Sequence, residues 1–146
     1  MSDDACPLPE DSTEDVSTAL RRMLRAKRIA VVGLSDDPSR ASYGVAQYLI
    51  RAGKQVIPIN PNHESVMGLK CFPSLEEVAG PIELVDVFRR PQFCPDVVRA
   101  AIAAGAKGVW LQSGIRSPEA RKLAREAGID YVEDRCLMVE LMHTSR

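Results

Sequence analysis

An α/β fold on a mainly parallel sheet is predicted by three observations. Short apolar runs alternate along the chain with segments of helical period, as strand–helix–strand units require. The runs Ile29-Ala30-Val31-Val32 and Leu84-Val85-Asp86-Val87-Phe88 are nearly continuous rather than alternating, the mark of strands covered on both faces. The first run ends at Gly33, and a small polar loop and a helix follow it. That succession lets a parallel sheet offer backbone N–H groups, and the positive end of a helix, to an anion.

The elements follow in order. Met1 to Ser12, with Pro7, Pro9 and several acids, reads as a disordered acidic tail, leaving residues 13–146 as one domain. Val16, Leu20, Met23 and Leu24 recur at helical spacing, with Thr13 or Ser12 as N-cap. Arg28–Leu34 is the first strand. Tyr43 to Ala52 is predicted helical, with Val45, Tyr48, Leu49 and Ile50 on its inner stripe and Gly53 to end it. Gln55–Ile59 is the second strand, closed by Asn60-Pro61-Asn62. A loop with Gly68 and an extended piece at Lys70–Phe72 lead to a small helix, opened by the capping box Ser74-Leu75-Glu76-Glu77 and ended by Gly80-Pro81.

Glu83–Phe88 is the third long strand, and Pro95 to Ala104 a helix with Val97, Val98, Ala101 and Ile102 inward. Gly108–Leu111 is the fourth strand. Ser117 and Pro118 suit the N-cap and first position of a helix running to Ala127 and ending at Gly128. Ile129–Val132 is the last strand and Cys136 to Met142 a short terminal helix, and the terminal segment Leu137–Arg146 is amphipathic enough to pack on its own sheet or on a second subunit. The expected architecture is a three-layer αβα sandwich around five strands in the order 3-2-1-4-5. Its ligand site is expected at the carboxyl ends of the strands, at the switch point between strands one and four.

Composition narrows the functional classes. Hydrophobic residues make up 45% and charged residues 27% of the 146, ordinary values for a globular protein. No apolar run approaches the length of a membrane span, and the acidic start is unlike a signal peptide, so a cytoplasmic protein without membrane contact is expected. Residues 1–15 hold six acids and no Lys or Arg, which leaves 14 acids against all 19 basic residues in the remainder. That mild excess suits a small polyanion but is too scattered for a nucleic-acid surface. Cys6, Cys71, Cys94 and Cys136 lie far apart with only two histidines, so free thiols and no metal site are expected.

The strand ends supply candidate ligand contacts: Gly33-Leu34-Ser35 with Arg40, Ser42, Tyr43 and Gly44 after the first, Asn60-Pro61 after the second, Phe88-Arg89-Arg90 after the third, and Gln112-Ser113-Gly114 after the fourth. Arg40 is suited to bidentate phosphate contact. Strand alternation sends Arg89 and Arg90 to opposite sides, Arg89 towards the site. A dinucleotide fingerprint is missing, since Ser35 stands where its second glycine would be, and Asn60 replaces the acid that would hold an NAD ribose. NADP is less strongly opposed. Trp110 is expected in the core. Asp86, inside a buried strand, is expected to find a partner, for instance at a helix N-terminus.

Taken in order, Gly33-x-Ser35, Arg40-x-Ser42-Tyr43, Pro58-x-Asn60-Pro61, Asp86-Val87-Phe88-Arg89-Arg90-Pro91, Trp110-Leu111-Gln112-x-Gly114 and Asp134-Arg135-Cys136 resemble the small single-domain CoA-binding proteins of bacteria. These are similar to the CoA-binding domain of the succinyl-CoA synthetase α subunit and of ADP-forming acyl-CoA synthetases. The resemblance spans residues 17–142 and implies a Rossmann-like fold that binds coenzyme A, or an acyl-CoA, through its nucleotide half. It implies phosphate contacts at Gly33–Gly44 and Arg40, Asn60 and Pro61 beside ribose and adenine, Phe88 and Arg89 beside the adenine or pantetheine arm, and Gln112-Ser113-Gly114 in the same crevice. Cys136, next to Arg135 and a helix start, becomes a candidate for thiol contact with pantetheine, against the alternative of a small buried hydrophobe. The synthetases' second domain and its phosphorylated histidine have no counterpart here, and neither His63 nor His143 matches that motif. Non-enzymatic binding is therefore expected. An NADP- or other nucleotide-dependent enzyme, or a regulatory subunit, completed by a partner chain is the second alternative, and a homo-oligomer stays open.

Overall fold

A computed structural model describes residues 17–144. A helical segment over residues 17–24 (α1) leads into β1 (Arg28–Val32), α2 (Ala41–Arg51) and β2 (Gln55–Ile59). A small hairpin follows, β3 (Ser65–Val66) and β4 (Leu69–Lys70), then a 3-10 turn at Leu75–Glu77. Next come β5 (Leu84–Val87), a 3-10 turn at Pro91–Phe93, α3 (Cys94–Ala103), β6 (Gly108–Leu111), α4 (Pro118–Ala127), β7 (Asp130–Val132) and α5 (Leu137–Thr144). The acidic tail and the proposed Ser12 or Thr13 cap lie outside the described residues.

The α/β class and the five-stranded parallel sheet are as expected, and the fold is Rossmann-like. The strand order is different. It runs β2-β1-β5-β6-β7, so the third long strand pairs with β1 instead of lying outside β2. β5 takes that inner place with all four of its residues buried and with β1 and β6 paired to it on either side. Beyond β2, among the described residues, there is only a one-residue bridge, Ile59 to Phe72, where the extended piece was expected. The chain therefore reverses direction between β1 and β5, and the switch point lies there and not between the first and fourth strands.

Two apolar cores sandwich the sheet. One joins Ile29, Val31, Leu84 and Trp110 to Leu24, Val45, Leu49 and Leu137 from the helices α1, α2 and α5. The other joins Val32, Ile57, Val85, Val87 and Leu111 to Val98 and Ala101 of α3 and Ala120 and Ala124 of α4. Trp110 is fully buried, as expected, and its indole N–H donates to the Arg135 carbonyl at 2.8 Å.

Three local expectations are corrected. Ile50 is 41% exposed, because Ser42, Val45, Ala46 and Leu49 form the buried stripe of α2. The Ser74 box makes no side-chain cap, since only a three-residue 3-10 turn follows, too short for a helical N3 position. Asp86 finds no partner: both carboxylate oxygens are buried without a hydrogen bond, between Val31 and Trp110 in neighbouring strands, and the Trp110 donor is already engaged. By contrast Ser117 caps α4 as expected, its hydroxyl accepting from the Ala120 N–H at 3.1 Å. No helix among the described residues is long and apolar enough to cross a membrane.

Candidate functional site

The loop between β1 and α2 is held from within. Gly33 has φ +84° and donates its N–H to the Ile59 carbonyl at 2.9 Å. The Ser35 N–H donates to the Ser42 hydroxyl at 3.0 Å, and the Ser35 hydroxyl accepts from the Asp37 N–H at 3.0 Å. Asp37 in turn accepts from the Ser39 N–H and hydroxyl, which hold its carboxyl below the usual range. The Arg40 side chain makes no capping bond at the head of α2, and no acid lies in that helix's first turn. The amide end of α2 thus keeps its favourable field for an anion.

Two hollows meet at the switch point. The larger, about 580 Å³, lies over the carboxyl ends of β1, β2 and β5, floored by Val32, Gly33, Ile59 and Phe88 and walled by Asn60, Pro61, Leu75 and Val97. The smaller, about 380 Å³, lies at the amide end of α2, against Gly33, Ser35, Arg40 and Ser42. Gly33, Phe88 and Arg89 belong to both. The Arg89 guanidinium stands 4.5 Å over the ring of Phe93, which is 41% exposed.

Of the residues singled out from sequence, Gly33, Ser35, Arg40, Ser42, Asn60, Pro61, Phe88 and Arg89 line these hollows. Asn60 does so with its side chain already committed: its amide donates to the Leu34 carbonyl at 3.0 Å and its oxygen accepts from the Asn62 N–H. Leu34 is buried in the core, so only its backbone bears on the loop. Tyr43, Gly44, Ser113 and Gly114 line neither hollow. Gln112 is buried and accepts from the Leu137 N–H at 3.1 Å, tying β6 to α5. Cys136 packs against the core that holds Trp110. Phe93 and Ile115 line the site without having been singled out. Phe93 had a signal: it is an aromatic in a proline-opened turn that follows a strand's carboxyl end.

Thiol chemistry is suppressed beneath the hollows. Burial pushes the Cys94 thiol up to about 11, and its sulfur donates to the Arg90 carbonyl at 3.5 Å. Burial likewise raises Cys71. Among the described residues no cluster of His, Cys, Asp and Glu could hold a metal ion.

Residues 27–142 match the family described as the CoA binding domain. The Bacillus subtilis protein named uncharacterized protein YneT is 41% identical over 115 residues, covering 79% of this chain and 85% of that protein. A solved structure of a hypothetical protein from Pyrococcus horikoshii is 41% identical, with a TM-score of 0.83 over 91% of this chain and 92% of the other. The ADP-forming acetate–CoA ligase II of Archaeoglobus fulgidus is 26% identical over 129 residues, 87% of this chain but 18% of the ligase. The similarity to the ligase is thus confined to a small part of that protein.

Proposed function

This chain belongs to the CoA-binding domain family, and from that premise we propose that it binds coenzyme A or an acyl-CoA through the nucleotide half, without carrying out ligation. The observation that carries this reading is the pair of hollows joined at Gly33, Phe88 and Arg89. The smaller one suits phosphate: an uncapped helix end, a glycine that lets the backbone come close, two hydroxyls and the Arg40 guanidinium. The larger one suits a flat heterocycle and its ribose, being apolar along Val32, Ile59, Pro61 and Val97 with Asn60 at its border. Arg89, shared by both, stands where the chain between base and phosphates would pass.

Binding without bond-making fits the chemistry on hand. The thiol under the site, Cys94, stays protonated near neutral pH, and His63 and His143 line neither hollow. Small-molecule binding in the cytoplasm, alone or as a subunit of a larger assembly, is the role that follows.

The test is thermal stability in the presence of CoA, dephospho-CoA, acetyl-CoA, NADP and NAD in parallel. Ligand at about 100 times its Kd should add roughly 2.7 kcal/mol, a shift of several degrees. Stabilisation by CoA or acetyl-CoA, with none by NAD or NADP, is the expected result. Stabilisation by NADP alone would overturn the proposal in favour of a nucleotide-dependent enzyme.

A further inference from the structure

One large apolar side chain at the site belongs to neither core. The ring of Phe93 is 41% exposed and is absent from both packed clusters. Its backbone is nonetheless fixed. Pro91 opens the turn, the Phe93 N–H donates to the Arg90 carbonyl at 2.9 Å, and the next residue, Cys94, is fully buried. An exposed aromatic on an anchored turn, lining a hollow, presents a flat apolar face at little cost in side-chain freedom.

Arg89 covers that face. Its guanidinium carbon stands 4.5 Å from the ring centroid, and both residues line the larger hollow. No carboxylate holds it there. Arg89 takes part in none of the ion pairs among the described residues. Asp96, the only acid among the described residues lining that hollow, is bound to Arg99 at 2.6 Å. Arg89 also lines the smaller hollow, beside Arg40.

We propose that Phe93 is the stacking residue for the base of the ligand and that Arg89 is its exchangeable cover. The inference rests on the coenzyme A reading and extends it to a residue and a movement. Adenine takes the ring face that Arg89 occupies, and the guanidinium turns to the phosphates in the smaller hollow. Each half of the exchange replaces a weak contact by a stronger one. A cation on an exposed ring gains little, whereas a base stacked on an aromatic and a guanidinium on a phosphate both gain more. The ring thus selects ligands that carry a base together with phosphates.

The test compares the parent with Phe93→Leu and Phe93→Tyr in calorimetric titrations with CoA. Because the ring lies outside both cores, the three melting temperatures should agree. Phe93→Leu is expected to weaken binding by about tenfold or more, the worth of one base stack, while Phe93→Tyr retains it. Nuclear Overhauser contacts in the parent give the second readout. Contacts from the Phe93 ring to the Arg89 side chain are expected without ligand, and at saturation should give way to contacts from the ring to the adenine protons. CoA bound equally well by the parent and Phe93→Leu, an equal loss in Phe93→Tyr, or Arg89 contacts that persist at saturation would overturn the inference and leave the CoA reading standing. Absence of CoA binding by the parent would overturn both.

Discussion

Gly33 passes directly beneath the carbonyl of Phe88: a Cβ on this glycine would lie 2.5 Å from that oxygen. The contact joins the ends of β1 and β5 where the two hollows meet, and the opposing atom is backbone, which cannot step aside. Gly33→Ala, also strained by φ +84°, should lose at least about 2 kcal/mol of stability in a denaturant titration. Gly44, with open space around its missing Cβ and a place inside α2, is the contrast. Gly44→Ala should gain about 0.5–1 kcal/mol and leave ligand affinity unchanged.

Arg40 and Arg89 carry the charge of the proposed site. Arg40→Gln and Arg89→Gln should each weaken CoA binding by roughly ten- to hundredfold in calorimetric titration, the worth of one charge-assisted contact. Dephospho-CoA separates their roles. A variant that binds it as well as the parent does has lost only a contact to the 3′-phosphate. Unchanged CoA affinity in both variants would remove these arginines from the site.

Asp86 imposes a pH dependence. Burial, with no hydrogen bond to offset it, raises its carboxyl well above the ordinary range in the folded protein. The folded state thus keeps a proton that the unfolded chain releases near pH 4. Above that pH, stability falls by up to about 1.4 kcal/mol per pH unit until the folded carboxyl itself ionises. Asp86→Asn should flatten this decline and raise the melting temperature at pH 7 more than at pH 4.5. Parallel profiles for variant and parent would contradict the assignment.

Ser117 offers a local check on α4. Its hydroxyl takes one of the helix's open N–H groups, that of Ala120, so Ser117→Ala should cost about 1 kcal/mol by chemical denaturation.

Which parts of this architecture could be read from residues alone follows from the range of the forces involved. Ser117-Pro118 and Gly128 bracket α4 through bonds within one turn, and the bounds of β2 and β6 were legible from apolar runs closed by turn residues. Ile50 shows where period alone runs out: the buried stripe of α2 passes through Ser42, Val45, Ala46 and Leu49, and Ile50, one residue further round the helix, turns to solvent. Strand order was lost for a similar reason. The placement of β5 beside β1 depends on a helix-free crossing over residues 60–83, which leaves no periodic trace. At the site, the strand-end residues Gly33, Asn60, Phe88 and Arg89 were legible because topology sends every strand end to one side. Gln112 shows a second use for a polar residue at a strand end: its side chain anchors the next helix through the Leu137 N–H.

The position of β1 between β2 and β5 has a consequence during synthesis. Translation delivers this strand early, yet the Glu83 carboxylate that receives the Arg28 N–H lies 55 residues downstream, and the register with β5 needs residues 84–87. A ribosome paused before that point holds an apolar ribbon with one bonding edge unclaimed, open to chaperones and to neighbouring nascent chains. The domain can close on itself only after more than half of it has been made.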